Sequence, residues 1–198
     1  MNMDLKLEIQ DSVKKKILLH ACCAPCLTHP FRMLLERFDV TAFFYNPNIH
    51  PESEYRLRRE EVERLSREWG FEVIIGPYDA EAWFDAVRRR GDDPEGGERC
   101  ALCYRFRLEK TAEAARKNGA DLFTTTLSIS PLKKATVINR IGHEAAAGSG
   151  VAFYEADFKK KDGFKSSTRI SREEKLYRQD YCGCVFSMRE REKRRRPR

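Results

Sequence analysis

Five short apolar runs alternate with stretches of helical spacing, and that alternation restricts the chain to βαβ units around a mainly parallel sheet. The runs cover 17–21, 40–45, 71–75, 122–126 and 151–154, and are rich in β-branched and aromatic residues. Helices are expected over 27–37, 53–69, 80–90, 100–118 and 132–147, with Ser53 as a cap and Gly70 and Gly119 as stops. A Lys-rich loop over 157–169, a helix over 171–179 and another after Cys184 complete the pattern. The reading is an α/β fold, doubly wound on a five-stranded sheet, with a C-terminal helical segment. In such sheets ligands bind beyond the carboxyl ends of the strands, where the strand order reverses.

A chain of 198 residues suits one domain, here 1–188, followed by a basic tail at 189–198. The tail sets seven Arg and Lys against Glu190 and Glu192. That net of +5 leaves the body with only about +2 of the total +7. Such a segment is either a solvated terminus or an arm for phosphates that gives affinity without sequence specificity. No apolar run reaches the roughly eighteen residues of a membrane span, and the mixed-charge N-terminus does not read as a signal peptide. The expectation is a cytoplasmic protein with no membrane partner. Thiols are kept reduced there, so its seven cysteines call for a reason other than disulfides.

The cysteines fall into three clusters: Cys22, Cys23 and Cys26; Cys100 and Cys103; Cys182 and Cys184. The first follows the first strand, where a phosphate-binding loop would carry glycine. Its sequence, Cys22-Cys23-Ala24-Pro25-Cys26, has none. Cys100 and Cys103, three apart at a helix start, share a face, and the helix N-terminus favours thiolate. Gly183 lets Cys182 and Cys184 turn in the same direction. Paired spacing of this kind points to a metal. A zinc-stabilised RNA-binding module is one alternative, although seven cysteines overfill a tetrahedral site. A metal-free dithiol oxidoreductase using Cys23 and Cys26 is another, and leaves the second and third clusters without a role.

From about Lys16 to Ser187 the chain resembles the QueH-type epoxyqueuosine reductases. The likeness is carried by residues 18–26, which end in the first cysteine cluster, by 44–51 with Glu54 and Tyr55, and by 99–104 around Cys100 and Cys103. Residues 124–131 followed by Lys133, and 177–184 ending in Cys182-Gly183-Cys184, complete it. The resemblance implies a fold similar to the adenine-nucleotide α-hydrolases with the nucleotide loop rebuilt. It also implies reduction of the epoxide of epoxyqueuosine, at the wobble position of tRNA, to the alkene of queuosine. A 4Fe-4S cluster and an additional mononuclear iron would be the cofactors, and an electron donor that the sequence does not identify would be a partner.

On that footing the ligand pool is Cys22, Cys23, Cys100, Cys103, Cys182 and Cys184, undivided between cluster and second metal. Cys26 is either a ligand or packs at its helix start. Asp79 and Asp157, each after a strand, are candidate oxygen ligands or proton donors, or else solvated carboxylates or caps. His20 is a candidate proton donor or a satisfied core histidine. Tyr45, Asn46, Asn48, His50 and Tyr55 are expected to receive the modified base, unless Asn46-Pro47-Asn48 only shapes a turn. Arg58, Ser130, Lys133 and Tyr177 are candidate phosphate or ribose contacts.

Overall fold

Continuous apolar sequence makes a central strand. A computed structural model describes residues 14–195, so residues 1–13 and the last three of the basic tail lie outside the described residues. In β1 (Lys16–His20) the side chains of Ile17, Leu18 and Leu19 are all buried, because helices cover both faces. β2 (Asp39–Phe44) and β4 (Leu122–Thr125) flank it, with β3 (Val73–Ile75) and β5 (Ala152–Phe153) at the edges. The order is β3-β2-β1-β4-β5, and every pairing is parallel.

Successive side chains point to opposite faces, which divides the core in two. On one face Ile17, Leu19, Ala42 and Phe44 meet Leu27 and Phe31 of α1 (Ala24–Leu35), and Val62 and Leu65 of α2 (Glu52–Trp69). On the other, Leu18, Phe43 and Phe123 meet Leu108 of α4 (Glu98–Lys117) and Ile138 of α5 (Ala135–Ser149). Each large apolar side chain fully buried here contributes about 1.5–3 kcal/mol, offset by the entropy of ordering the chain. α3 (Ala80–Val87) ends in a 3-10 turn, Arg88–Arg90, and packs on α4 through Trp83, Val87 and Cys103.

The chain leaves β1 toward β3 and then crosses back to β4, so the order reverses between β1 and β4. The two loops that open there are 21–23 and the 3-10 turn Thr126–Ile129. This is the doubly wound, five-stranded parallel sheet expected from the sequence.

Several boundaries differ for local reasons. α1 starts at Ala24, inside the cysteine cluster: Cys23 is its extended N-cap, and the Cys23 Sγ accepts the Cys26 N–H at 3.4 Å. Pro25, with its fixed φ, suits the first turn. α2 begins at Glu52 with Pro51 at the cap position, so Ser53 is inside the helix and does not cap it. α5 begins at Ala135, later than expected.

The largest difference is at 157–179. The expected loop there contains α6 (Gly163–Glu173), and the helix expected over 171–179 is mostly irregular chain. The buried face of α6 is Gly163, Ser167, Ile170 and Ser171, which has helical spacing but little apolar content. Its packing on α1 is polar: the Ser167 hydroxyl donates to the Pro25 carbonyl at 2.5 Å and lies 3.3 Å from the Thr28 hydroxyl. α7 (Val185–Arg195) takes residues 189–195 of the expected tail into a helix.

Close backbone approach fixes Gly163. A Cβ there would lie 1.9 Å from the Phe158 carbonyl oxygen, whereas one at Gly148 meets nothing within 4 Å. Gly163→Ala is expected to destabilise the protein by about 1–3 kcal/mol through overpacking. Gly148→Ala is expected to stabilise it by about 0.5–1 kcal/mol through helix propensity. Urea unfolding of both variants checks the pair, and equal midpoints would contradict the account.

Candidate metal centre

Three thiols converge where β1 ends. The sulfurs of Cys22, Cys23 and Cys26 all lie within 4.8 Å of one another. The strand delivers Cys22 and Cys23 to the switch point, and the first turn of α1 brings Cys26 back over Cys23. The Thr126 hydroxyl donates to Cys22 Sγ at 3.4 Å and accepts the Cys22 N–H at 3.2 Å, which ties this loop to the one after β4. The Gln179 amide donates to Cys23 Sγ at 3.1 Å. The sequence left Cys26 open as a ligand or a residue packed at its helix start, and the structure puts its sulfur beside those of Cys22 and Cys23.

Charge in this group is unequal. The neighbouring thiols of Cys23 and Cys26 hold the Cys22 pKa well below the ordinary thiol range, and Arg107 and Thr126 help against the cost of burial. Burial pushes Cys23 up to about 12, and Cys26 is raised through its contacts with Cys22 and Cys23. The thiolate is thus favoured at Cys22 and disfavoured at Cys23 and Cys26, whose protons a bound cation would displace. A soft, thiolate-only donor set beside a helix N-terminus and two cations, Arg107 and Lys133, fits an anionic iron–sulfur cluster. It does not fit a metal-free dithiol, since Cys23 would be a weak nucleophile.

The other four cysteines form a second group. Cys182 lies within electrostatic reach of Cys100, Cys103 and Cys184, and Cys103 and Cys184 pack together against Trp83. Burial pushes Cys100 up to about 12 against the pull of the Gly96 N–H, and burial also raises Cys103 and Cys184. The α4 N-terminus alone therefore does not hold these sulfurs as thiolates, contrary to the expectation from spacing.

Gly183, at φ +127°, makes the turn between Cys182 and Cys184, and its carbonyl accepts the His50 N–H at 2.8 Å. Arg58 clamps the same turn, donating to the Cys182 carbonyl at 3.1 Å and to Glu54 at 2.7 Å. With 2% exposure and partners on each side, Arg58 positions the third cluster, in place of the phosphate contact expected of it.

A cavity of about 440 Å³ opens over the first thiol group, lined by Cys22, Cys26 and Cys182. Of the expected substrate residues, Asn46, Asn48, Arg58, Ser130 and Lys133 line it. Asn46 donates to the Ala21 carbonyl at 2.9 Å and accepts from Arg107 at 2.6 Å. Asn48 is 2% exposed, and its Oδ1 has no hydrogen-bond partner among the described residues. Burial works against the charge of Lys133, yet the fields of Cys182, Tyr104, Cys22 and Cys26 raise its pKa.

The remaining candidates are elsewhere. Tyr45 is stacked in the core against Phe43 and Phe106, its hydroxyl donating to Asp79 at 3.3 Å, so it cannot stack a base. Tyr55 is buried against Tyr78, with ring centroids 4.1 Å apart. His50 packs beside Trp83, and the Tyr177 hydroxyl donates to Glu54 at 2.9 Å. Asp79 stands at the N-cap position of α3, and Asp157 pairs with Lys159 at 2.9 Å; neither lines the cavity.

His20 is a satisfied core histidine and not a proton donor. Burial lowers its pKa to about 3, and its nitrogens meet the Thr125 hydroxyl at 2.8 Å and the Tyr45 carbonyl at 3.1 Å. The sequence reading missed Arg107, Thr126 and Gln179. Arg107 follows Cys103 by one helical turn, which puts it on the thiol-facing side of α4.

A doubly wound sheet with three thiols at its switch point defines an α/β protein whose donor set fits a thiolate-bound metal centre. The chain belongs to the epoxyqueuosine reductase QueH family, whose profile matches residues 17–190. It is 41% identical to the epoxyqueuosine reductase QueH of Histophilus somni over 187 residues, 93% of this chain and 76% of that protein. It is 43% identical to that of Thermotoga maritima over 179 residues, 88% of this chain and 91% of that protein. Among solved structures, the U34-tRNA thiolase NcsA from Methanococcus maripaludis, with its [4Fe-4S] cluster, matches with a TM-score of 0.56 at 13% identity. That match covers 88% of this chain and 62% of the thiolase, and at this identity it concerns the fold.

Loss of the Arg107 charge should be visible at Cys22. In metal-free protein, Arg107→Gln is expected to raise the pH at which Cys22 becomes half-reactive toward iodoacetamide, since a cation that favours the thiolate is gone. Peptide mass mapping of the alkylated cysteines checks this, and an unchanged reactivity profile would contradict the assigned role.

Proposed function

We propose that this cavity receives the wobble nucleotide of tRNA and that epoxyqueuosine is reduced there to queuosine. The observation that carries the reading is the Cys22, Cys23 and Cys26 group at the cavity's edge in a chain of this family. These three cysteines would hold a 4Fe-4S cluster. Cys100, Cys103 and Cys184 would hold an additional mononuclear iron, with Cys182, which borders both groups, available to either. A cluster held there would supply electrons one at a time to a reaction that consumes two electrons and two protons and releases water.

The chain's own residues bind and protonate. Lys133 carries its protons at Nζ on the cavity wall beside the thiols and is the chain's proton source for the epoxide oxygen. Asn48 Oδ1 and Arg107 Nε, both buried without partners among the described residues, are an acceptor and a donor for the entering base. Besides the clamped Arg58, six cationic side chains line the cavity against two carboxylates, Glu95 and Asp180, which suits a polyanionic substrate. Among the described residues no helix is long and apolar enough to cross a membrane. The cytoplasm, where tRNA is found, is the proposed location.

The test is anaerobic reconstitution with iron and sulfide, addition of a low-potential reductant and epoxyqueuosine-containing tRNA, and mass spectrometry of the released nucleosides. Queuosine should form, and the protein should absorb broadly near ~400 nm. Cys22→Ser, Cys23→Ser and Cys26→Ser should each lose that absorbance and the conversion. A colourless protein with stoichiometric zinc, or a fully active Cys26→Ser variant, would sink the assignment.

A further inference from the structure

Leu132 is the most exposed large apolar side chain among the described residues, at 75%, and Phe164 is 40% exposed. Single exposed apolar residues are ordinary. These two, with Pro131, line the mouth of the same thiol-bearing cavity. Leu132 comes from the segment between the Thr126–Ile129 turn and α5, and Phe164 is the second residue of α6. Neither belongs to the ligand group, and neither is needed to close the core.

The rest of the mouth is basic, with Arg178 before the third cysteine cluster and Arg191, Arg194 and Arg195 on α7. Asp180 pairs with Arg191 at 2.6 Å and with Arg195 at 2.5 Å. Among the described residues no carboxylate pairs with Arg178 or Arg194. An apolar lip combined with unbalanced guanidinium groups matches the two chemistries of unpaired RNA, whose bases present apolar faces and whose backbone presents phosphates. A docking protein would need a carboxylate-rich, apolar surface, and nothing else around this cavity selects for one.

We propose that Leu132 and Phe164 form a stacking lip for the single-stranded bases that flank the nucleotide entering the cavity, while Arg178 and Arg194 take their phosphates. The inference rests on the tRNA reading of the site and adds how the loop is held. A base leaving its stack uncovers the faces of its neighbours. The lip covers those faces with apolar surface and lengthens the time the target nucleotide spends out of the stack.

Anisotropy titrations of the reconstituted full chain with a synthetic anticodon stem-loop RNA, lacking the modified base, test this at several salt concentrations. Leu132→Ala combined with Phe164→Ala should weaken binding about five- to hundred-fold, with an unchanged slope of log affinity against log salt. Arg194→Ala should make that slope shallower by somewhat less than one unit. Leu57→Ala, a control at an exposed apolar residue of α2 away from the cavity, should bind as the parent does. Unchanged affinity in the double variant, or a loss accompanied by a changed slope, overturns the stacking lip. An unchanged slope in Arg194→Ala overturns the phosphate half. The stem-loop binds without being reduced, so a failure of epoxide reduction would overturn the proposed function while leaving these titrations readable.

Discussion

Arg107 is 2% exposed on α4, donates to Asn46 at 2.6 Å, and has no carboxylate within ion-pair distance among the described residues. A buried cation without a counter-charge is costly, so sulfur must supply the balance. It does so through Cys22, whose thiolate the guanidinium helps to hold. The same bond continues through Asn46 to the Ala21 carbonyl, which fixes the residue before the first cysteine. One side chain thus joins α4, the loop after β2 and the end of β1, and makes the position of the thiol group depend on its charge.

The electrostatics also bear on what a bound metal would change. Thiolates are disfavoured at five further sulfurs in their metal-free form: by burial at Cys23, Cys100, Cys103 and Cys184, and by contact with Cys22 and Cys23 at Cys26. A cation that displaces their protons converts buried neutral thiols into ligands, so metal binding and stability of this region are linked. Lys133 is buried within the fields of Cys182, Cys22 and Cys26, which raise its pKa against the cost of burial. Arg58 and Gly183 bring the third cluster to the first by holding the turn at Cys182.

Much of this was legible in the sequence. Continuous apolar runs such as Ile17 to Leu19 read directly as strands buried on both faces, and the spacing of the cysteines pointed to a metal-binding group, of which Cys22, Cys23 and Cys26 stand together. What escaped notice had weak apolar signal or depended on distant contacts. α6 docks through Gly163, Ser167 and Ser171, small residues that leave no hydrophobic period, with the Ser167 hydroxyl bonded to the Pro25 carbonyl of α1, while Leu176 is buried without a helix around it. Tyr45 and Tyr55 looked like base-stacking residues because aromatic identity does not reveal which face of the sheet packs over them. Arg107 is one of many arginines in a charged chain, and only the fold makes it a buried partner of Cys22. His20 looked reactive beside the cysteines, but Thr125 and the Tyr45 carbonyl occupy its nitrogens.

The central claim is that Cys22, Cys23 and Cys26 hold iron at the sheet's switch point. Anomalous diffraction above and below the iron absorption edge, on crystals of anaerobically reconstituted protein, tests it most directly. The account predicts a strong iron peak among those three sulfurs. A map with zinc alone at Cys100, Cys103, Cys182 and Cys184, and no iron beside Cys22, would contradict it.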